Sequence, residues 1–282
     1  MFVTRFAPSP TGYLHLGHAF AALTAQAAAQ GGRFLLRIED LDASRTRETL
    51  VEAIFSDLRW LGLGWGEPVL RQSARTGAYA SALDELRAMG LIYPCFCTRG
   101  DIAAEIARSA EAPHGPDGPL YPGTCRQLSA KERVRLEDAG APYALRLHST
   151  KAAARLGPLF FEESGRFPYA DYQYVAVDPL LSGDVVLGRK GTPASYHLAV
   201  VIDDAAQGVT LVTRGRDLLP STHTQRVLQS LLGLPAPKYA HHRLILDIEG
   251  RKMSKREHAR SLQDLRRAGI APEAIVAMLQ GT

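Results

Sequence analysis

Two histidines near the amino terminus are of a type and spacing that could do chemistry. His15 and His18 lie three residues apart, where a loop after a predicted strand turns into an alanine-rich helix. At this spacing both imidazoles fall on one helical face, and Gly17 between them lets a flat base or ribose approach the backbone closely. The start of the helix adds free amides for phosphate. The pattern predicts a nucleotide site, with two surface histidines beside a turn as the alternative.

A basic segment far downstream offers complementary chemistry. Lys252 and Lys255 lie in a polar stretch that also contains Arg251 and Arg256. Two ammonium groups there could neutralise the charge that builds up on a triphosphate as pyrophosphate leaves. A basic loop by itself is more often a solvated surface. Its pairing with the two upstream histidines favours function, because the two motifs have no common structural reason to occur together.

The three cysteines could form a metal site. Cys95 and Cys97 are separated by one residue, and Cys125 follows at a distance that a loop closes easily. Three thiolates suit a tetrahedral zinc site that lacks one ligand, and both His114 and Tyr121 are candidates for the fourth. General chemistry favours His114, because a phenol must lose a proton with a pKa of about 10. Three idle thiols are the alternative, since this spacing is less diagnostic than paired CxxC motifs.

The elements that must position these residues begin with a strand, helix, strand unit. Phe2 to Ala7 and Arg33 to Glu39 are predicted strands, and Leu16 to Gln30 between them is a predicted helix that two glycines end. Such a unit favours a right-handed parallel crossover and a Rossmann-like opening. Further helices and strands are predicted from apolar spacing. The predicted helices are Thr46 to Leu61, Thr76 to Met89 and Thr222 to Leu232, and the predicted returning strands are Ser195 to Asp203 and Val209 to Arg214.

The alternating pattern breaks off in mid-chain and returns later, which predicts an insertion between two halves of one fold. The segment 92–188 gathers all three cysteines and a stretch rich in glycine and proline. We expect it to be an inserted α/β subdomain that contains the zinc site. On this division, residues 1–91 form the first half, 189–238 the second half, and 239–282 a basic loop with a helical tail.

Composition restricts the class of protein. The 282 residues can bury a sizeable core, and 46% hydrophobic with 22% charged residues excludes a disordered or fibrous chain. No apolar run approaches the roughly 18 residues of a membrane span, and no signal-peptide pattern opens the chain, so we expect a cytoplasmic protein without a membrane partner. A net charge of +4 fits a polyanionic partner without requiring one. No oligomer is implied.

The two distant motifs together resemble the signature motifs of class I aminoacyl-tRNA synthetases. The resemblance lies in the stretch from Arg5 to His18 and in Lys252 to Lys255, and Arg37-Ile-Glu39-Asp40 resembles the glutamyl/glutaminyl branch. It implies an α/β, Rossmann-like catalytic domain that activates an amino acid with ATP and Mg²⁺ and transfers it to RNA. Such activation depends on positioning and charge stabilisation. The implied catalytic residues are His15, His18, Lys252 and Lys255, and the implied ATP-binding residues are His15, Gly17, His18 and Lys255. Mg²⁺ is mostly held by phosphate and water, so no protein ligand is predicted.

The same resemblance implies a set of contacts to L-glutamate. Free glutamate carries two carboxylates and one ammonium, so its pocket pairs basic or hydroxyl donors with an acid. Glu39 would face the ammonium and Arg214 the side-chain carboxylate, since a glutamine pocket would gain less from a guanidinium. Taken alone, each arginine is more often a surface charge, and Tyr196 could be a core residue on its predicted strand. The implied glutamate contacts are Arg5, Ser9, Glu39, Tyr196 and Arg214.

The cysteine segment resembles the structural zinc site of glutamyl-queuosine tRNA(Asp) synthetases, short paralogues of glutamyl-tRNA synthetase. The segment Tyr121-Pro-Gly-Thr-Cys125-Arg carries this resemblance, which favours Tyr121 over His114 as the fourth ligand of one zinc ion. Few residues follow Lys255, so we expect no anticodon-binding domain. The resemblance then implies that queuosine in the anticodon loop of tRNA(Asp) accepts glutamate on its cyclopentene-diol, and that activation of glutamate needs no tRNA.

Other functions stay open on the sequence. A minimal glutamyl- or glutaminyl-tRNA synthetase would use the same activation chemistry and charge a tRNA 3′ end. A nucleotidyltransferase would use the histidine loop on a small molecule, but the segment Lys252 to Lys255 argues against it. A catalytically silent RNA-binding paralogue is disfavoured because the signature residues are intact.

Overall fold

An α/β fold with parallel strands at its centre is formed by the residues that the computed structural model describes. These are residues 1–108, 114–116, 118–165, 171–189, 193–245 and 260–280. The strands are β1 (Val3–Phe6), β2 (Arg33–Ile38), β3 (Gly66–Arg71), β4 (Ile92–Cys95), β5 (His114–Gly115), β6 (Gly118–Pro119), β7 (Ala144–Leu147), β8 (Phe160–Glu163), β9 (Gln173–Ala176), β10 (Val186–Arg189), β11 (Leu211–Gly215) and β12 (Lys238–His242). The helices are α1 (Leu16–Ala28), α2 (Glu48–Trp60), α3 (Thr76–Ala88), α4 (Arg99–Arg108), α5 (Ala130–Asp138), α6 (Ser149–Arg155), α7 (Tyr196–Ala206), α8 (Leu219–Leu231), α9 (Leu262–Arg267) and α10 (Pro272–Gln280). Within these ranges no helix has both the length and the apolar character that crossing a membrane requires.

Two groups of parallel strands meet edge to edge. Strands β1, β2 and β3 pair in that order, and β11, β12 and β8 are parallel, with β9 antiparallel beside β8. The amide of Thr210, just before β11, donates to the carbonyl of Val3 at 2.9 Å. Strands β1 and β11 are therefore neighbours, and the carboxyl ends of β1, β2, β11 and β12 share one edge, where α/β folds bind ligands.

Helix α1 covers this junction with small side chains. A spacing of three residues puts alanines on its buried face, and their small size lets the helix lie close to the strands. The hydroxyl of Thr4 in β1 donates to the carbonyl of Ala25 at 2.7 Å, which fixes the helix to the strand. The buried residues are Ala19, Ala22, Ala25 and Ala28. The strand, helix, strand opening predicted from sequence is confirmed.

One predicted strand is wrong. Ser195 to Asp203 was expected to be a strand, but Tyr196–Ala206 is helix α7. The helix lies in a hydrophobic core with α3 and α8 and is buried on several faces, including Leu198 and Val201. A continuous apolar run of this kind has no periodicity that separates a buried strand from a buried helix. The other predicted helices, and the strand ending at Arg214, are confirmed within a few residues.

The middle of the chain contributes to two different sheets. Strands β4, β7 and β10 form an antiparallel sheet in the order β10-β7-β4. Strand β8 instead pairs in parallel with β12, where Glu163 lies in register with Tyr239. The sequence pattern did not predict this pairing. It matters for the site, because it brings Glu163 to the strand that carries His241 and His242.

Candidate active site and metal centre

A cavity of about 640 Å³ opens at the carboxyl ends of β1 and β2. Residues after those strands form one side of it, and residues of the middle segment form the other. Of the five predicted glutamate contacts, Ser9, Glu39 and Tyr196 line this cavity. Arg5 and Arg214 are buried behind the lining. The structure thus brings the predicted set into one region, in two layers.

Four charged side chains lie on the β1 and β2 side of the cavity: Arg5, Arg37 and Asp204 are buried, and Glu39 is partly exposed to the cavity. Asp204 of α7 accepts from Arg5 Nε at 3.0 Å and from Arg37 Nη1 at 2.6 Å. Arg37 Nη2 also contacts Glu39 Oε1 at 3.3 Å. Burial raises the pKa of Glu39, although Arg37 and Arg5 oppose this shift. Burial acts on Asp204 in the same direction, but there the two guanidiniums prevail and lower its pKa. Two guanidiniums and two carboxylates make this group neutral overall.

The guanidinium of Arg214 has a different environment. Its Nε donates to His241 Nε2 at 3.1 Å, and its Nη1 donates to Gln225 Oε1 at 2.8 Å and to Tyr196 Oη at 3.0 Å. Its Nη2 donates to Thr222 Oγ1 at 2.7 Å. All four acceptors are uncharged in these contacts. Across the described ranges no carboxylate lies within ion-pair distance of Arg214, so its positive charge is not cancelled locally.

The two histidines lie at the start of α1, with His15 directly before the helix and His18 in its first turn, and they hold each other in place. His15 Nδ1 accepts from the amide of Gly17 at 3.1 Å, and His18 Nδ1 accepts from the amide of His15 at 3.2 Å. The ring centroids are 3.9 Å apart. Because both Nδ1 atoms accept, each neutral ring carries its proton on Nε2, where it can donate. A Cβ on Gly17 would lie 3.0 Å from His15 Cε1, so a larger residue here would require the imidazole to shift by a few tenths of an ångström. Neither histidine is in the described lining of the cavity.

The carboxyl-terminal segment returns to this histidine loop. The amide of Leu262 donates to the carbonyl of Leu14 at 2.8 Å, and Ser261 forms an antiparallel bridge with His15. The predicted residues Lys252 and Lys255 lie outside the described residues. The described chain resumes at residue 260, directly before this bridge.

The three thiols and Tyr121 form a compact cluster at the end of β4. The sulfurs of Cys95, Cys97 and Cys125 all lie within 4.8 Å of one another, and Cys97 Sγ is 3.3 Å from Cys125 Sγ. Tyr121 Oη is 3.3 Å from Cys95 Sγ and 3.6 Å from Cys97 Sγ. Zinc bonds of about 2.3 Å to sulfur and about 2.0 Å to oxygen give tetrahedral edges of about 3.8 and about 3.5 Å. The cluster therefore fits a metal ion. The side chain of His114 lies outside the described residues.

The thiols of Cys97 and Cys125 have pKa values that are shifted in opposite directions. Burial, together with the neighbouring Cys125 and Cys95, raises the pKa of Cys97 to about 12. Burial also acts to raise the pKa of Cys125, but hydrogen bonds from Cys97, the amide of Phe96 and Tyr121 outweigh it and lower that pKa. Several thiolates at these distances repel one another, and a cation at the centre would relieve that repulsion.

Tyr121 connects the cluster to the cavity. The guanidinium carbon of Arg146 lies 3.9 Å from the centroid of the Tyr121 ring, a cation–π contact. Both residues line the cavity. Anything that fixes the phenol oxygen of Tyr121 in the cluster therefore also fixes part of the cavity wall.

Comparisons with known proteins match nearly the whole chain. Residues 1–281 match the family described as tRNA synthetases class I (E and Q), catalytic domain. A glutamyl-Q tRNA(Asp) synthetase of Rhodobacter capsulatus is 49% identical over an alignment of 278 residues, in a match that covers 97% of this chain and 98% of that protein. This chain belongs to the class I glutamyl-Q tRNA(Asp) synthetase family. A second member, from Nocardia farcinica, is 47% identical in a match that covers 98% of this chain and 82% of that protein.

A solved structure shares the fold of this synthetase family. A glutamate tRNA ligase of Elizabethkingia meningosepticum, crystallised with its amino acid, has a TM-score of 0.76 and 27% identity to this chain. The match covers 99% of this chain and 60% of the ligase, so the chain spans less than two thirds of that protein. The predicted α/β class I catalytic fold is confirmed.

Sequence reasoning missed several residues of the site in this family member. Arg37 carries a signal only as part of a motif, and Asp204 lies just beyond a segment predicted to be a strand. Gln225 and His241, which accept hydrogen bonds from Arg214, belong to no recognisable motif. The one available signal was polar residues inside otherwise apolar elements, since buried polar groups need partners.

Proposed function

We propose that the chain activates L-glutamate with ATP as glutamyl-adenylate and transfers glutamate to queuosine in the anticodon of tRNA(Asp). The near-complete match to relatives named glutamyl-Q tRNA(Asp) synthetase carries this proposal. ATP and tRNA are used in the cytoplasm, so that is the proposed location. The segment 92–188, which contains the cysteine cluster, is proposed to meet the RNA.

The charge pattern of the cavity supports glutamate as the amino acid. Glu39 is the member of the neutral charge group that lines the cavity, and we assign it to the ammonium of glutamate. Arg214 has a guanidinium that no carboxylate cancels within the part of the chain that the structure describes, and we assign it to the side-chain carboxylate through the Tyr196 side of the cavity. Arg5 and Ser9 complete the proposed contacts. A guanidinium pairs strongly with a carboxylate and gains little from an amide.

In the proposed first step, a carboxylate oxygen of glutamate attacks the α-phosphorus of ATP. The bond to the bridging oxygen breaks, and pyrophosphate leaves with both electrons of that bond. His15 and His18 donate from Nε2 to phosphate oxygens near Gly17, and Lys252 and Lys255 neutralise the charge that grows on the leaving group. Mg²⁺ supplies further charge neutralisation when it enters with ATP, and phosphate and water provide most of its ligands. The bridge between His15 and Ser261 supports this assignment, because it returns the chain to the histidine loop shortly after the lysines.

In the proposed second step, a hydroxyl of the queuosine cyclopentene-diol attacks the carbonyl carbon of the adenylate. An ester bond forms, the bond from that carbon to the phosphate oxygen breaks, and AMP leaves. The proton of the hydroxyl is taken up by the departing phosphate or by water. The site has to align the two reactants, which is the main contribution expected of a synthetase.

We further propose that Cys95, Cys97, Tyr121 and Cys125 hold one structural zinc ion. The distances among the four donor atoms fit a tetrahedral site. With three thiolates and a phenolate the site has no open position for a substrate, so the ion orders protein and takes no part in the chemistry. Through Tyr121 it would stabilise the cavity wall that faces the RNA.

A second candidate function is that of a glutamyl-tRNA synthetase that charges a tRNA 3′ end. The likeness in fold to the glutamate tRNA ligase structure favours it. Both functions share the first step and differ only in the RNA acceptor.

Two measurements test the proposal. Exchange of pyrophosphate with ATP, measured without tRNA, should be detected when glutamate is added and should be much weaker when glutamine is added instead. Labelled glutamate should then be transferred to tRNA(Asp) that contains queuosine and not to the same tRNA that lacks it, and nuclease mapping should find the label in the anticodon. Label at the 3′ end of the unmodified tRNA would reject the queuosine assignment in favour of the second candidate.

A further inference from the structure

A histidine and a glutamate lie in a row behind Arg214. His241 of β12 is the register partner of Arg214 in β11, and its Nε2 accepts from Arg214 Nε at 3.1 Å. Its Nδ1 lies 2.7 Å from Glu163 Oε2, and its backbone amide donates to Glu163 Oε1 at 2.8 Å. The row Arg214, His241, Glu163 exists only because β8 joins the sheet beside β12.

The hydrogen-bond pattern assigns the state of the imidazole in this row. A guanidinium has no acceptor, so His241 Nε2 must accept the hydrogen bond from Arg214. Nδ1 must then carry the imidazole proton and donate a hydrogen bond to Glu163. His241 is 2% exposed. Burial, the largest effect, lowers its pKa although Glu163 acts in the opposite direction. The imidazole is thus neutral and separates a cation from an anion.

This separation distinguishes Arg214 from Arg5 and Arg37, which are also buried among the described residues. Arg5 and Arg37 both contact the carboxylate of Asp204 directly. A carboxylate in direct contact with Arg214 would compete with the carboxylate of a ligand for the same N–H groups. The neutral acceptors around Arg214 orient it and leave its charge available.

We propose that His241 and Glu163 are positioning residues that set the preference for glutamate over glutamine. His241 fixes the plane of the Arg214 guanidinium through Nε and keeps the Glu163 carboxylate one imidazole away from it. Glu163 in turn fixes the tautomer that makes Nε2 an acceptor. The inference rests on the proposed activation of glutamate and adds which residues select the amino acid.

One test moves the negative charge without changing its amount. The double variant His241→Glu with Glu163→Gln places a carboxylate against Arg214 and removes the one behind it. We expect the kcat/KM ratio of glutamate to glutamine in pyrophosphate exchange to fall by about tenfold or more, mainly through the KM for glutamate, while the KM for ATP stays the same. The matched control is Glu162→Gln, on the same strand, whose carboxylate pairs with Lys238 Nζ at 2.7 Å on the exposed side.

A second pair of variants avoids a buried new charge. His241→Gln retains an acceptor near the Nε2 position and should keep the glutamate KM within about threefold of the wild type. His241→Asn retains a donor near Nδ1 for Glu163 but cannot reach Arg214, and should raise that KM about tenfold, the usual effect of losing a hydrogen bond to a charged group. Melting temperatures of all variants identify any that do not fold, and the comparison of Gln with Asn then decides.

The outcomes separate this inference from the proposed function. If the wild type shows no exchange with glutamate, the proposed function fails and the inference fails with it. If the wild type activates glutamate but the folded variants keep its selectivity and its glutamate KM, only the inference is overturned. An equal loss in the Gln and Asn variants would also overturn it, because a merely structural role would not distinguish the two.

Discussion

A buried carboxylate in α2 gives a prediction for stability that can be worked through in full. Asp57 is 1% exposed, and within the described ranges neither of its carboxylate oxygens has a hydrogen-bond partner. Burial raises its pKa from 3.8 to about 6, although Arg266 acts in the opposite direction. An ionised carboxylate in this position opposes folding, because water solvates it better in the unfolded chain. The substitution Asp57→Asn removes the charge and nearly preserves the shape.

The size and the pH dependence follow from the pKa difference. A shift of about two units corresponds to about 3 kcal/mol, at about 1.36 kcal/mol per unit. Because the folded pKa is raised, the contribution of Asp57 to stability is fully present below about pH 4 and is lost as the pH rises to about 6. Asp57→Asn should therefore increase the free energy of unfolding by about 3 kcal/mol at pH 8 relative to its effect near pH 4. At pH 5 about half of that gain should remain.

Urea unfolding at pH 8 and pH 5, in the same ionic strength, measures the difference directly. Glu52→Gln is the matched control, since it neutralises an exposed acid of the same helix and should change stability little at either pH. The reasoning would be refuted by a difference between wild type and Asp57→Asn that is the same at both pH values, because such a difference cannot come from ionisation.

Four further predictions concern the site. Lys255→Ala should lower the rate of pyrophosphate exchange by about 100-fold and leave the melting temperature unchanged; a near-normal rate would contradict its catalytic role. Cys125→Ser should release zinc, measured by metal analysis, and impair transfer to RNA more than activation of glutamate, and a wild type that contains no zinc would reject the site. Gly17→Ala should lower kcat/KM for ATP by about tenfold, because the new Cβ would press on the neighbouring imidazole ring, whereas the KM for glutamate should not change. Burial lowers the pKa values of His241 and His242, so the unfolded chain binds more protons than the folded chain below about pH 6.5. The contribution of the two histidines to stability is therefore full above that pH and should be lost as the pH falls. Urea titrations of wild type and His242→Gln test this, and equal slopes of the free energy of unfolding against pH in the two proteins would exclude His242.

Local signals predicted the first half of the fold well. The helix that begins at Leu16 follows from a run of small residues that two glycines end, and its first turn carries the histidine pair. These features depend on neighbours in sequence, so the sequence pattern specifies them. The cysteine cluster was predicted for a similar reason, since Cys95 and Cys97 are separated by one residue and Tyr121 and Cys125 follow within about thirty residues; the structure brings all four side chains together.

Features that depend on packing between distant segments could not be predicted. The segment after Ser195 is continuously apolar from Leu198 to Ile202, and its burial among α3 and α8 favours a helix. The acceptors around Arg214 come from α7, α8 and β12, which no sequence spacing relates. The contact of Glu163 with His241 requires a parallel pairing across some eighty residues of chain. The contacts predicted from the sequence therefore include Arg214 and Glu39 but not the neighbouring residues that decide whether their charges are balanced.

The hydrogen-bond and ion-pair partners of the three arginines explain how one cavity can select an amino acid with two carboxylates. Arg5 and Arg37 are balanced by Asp204 and Glu39, and this neutral group matches the ammonium and α-carboxylate of the ligand, whose charges cancel. Glutamate then has one negative charge left, on its side chain, and Arg214 is the buried cation of the site whose charge is left uncancelled by the described residues. Glutamine has no such charge, and its amide would leave the guanidinium buried without a counter-ion, which is unfavourable in a desolvated site. On the proposed assignment, selectivity therefore comes from balancing two of the three arginines and leaving the third unbalanced, and this requires a neutral residue at His241.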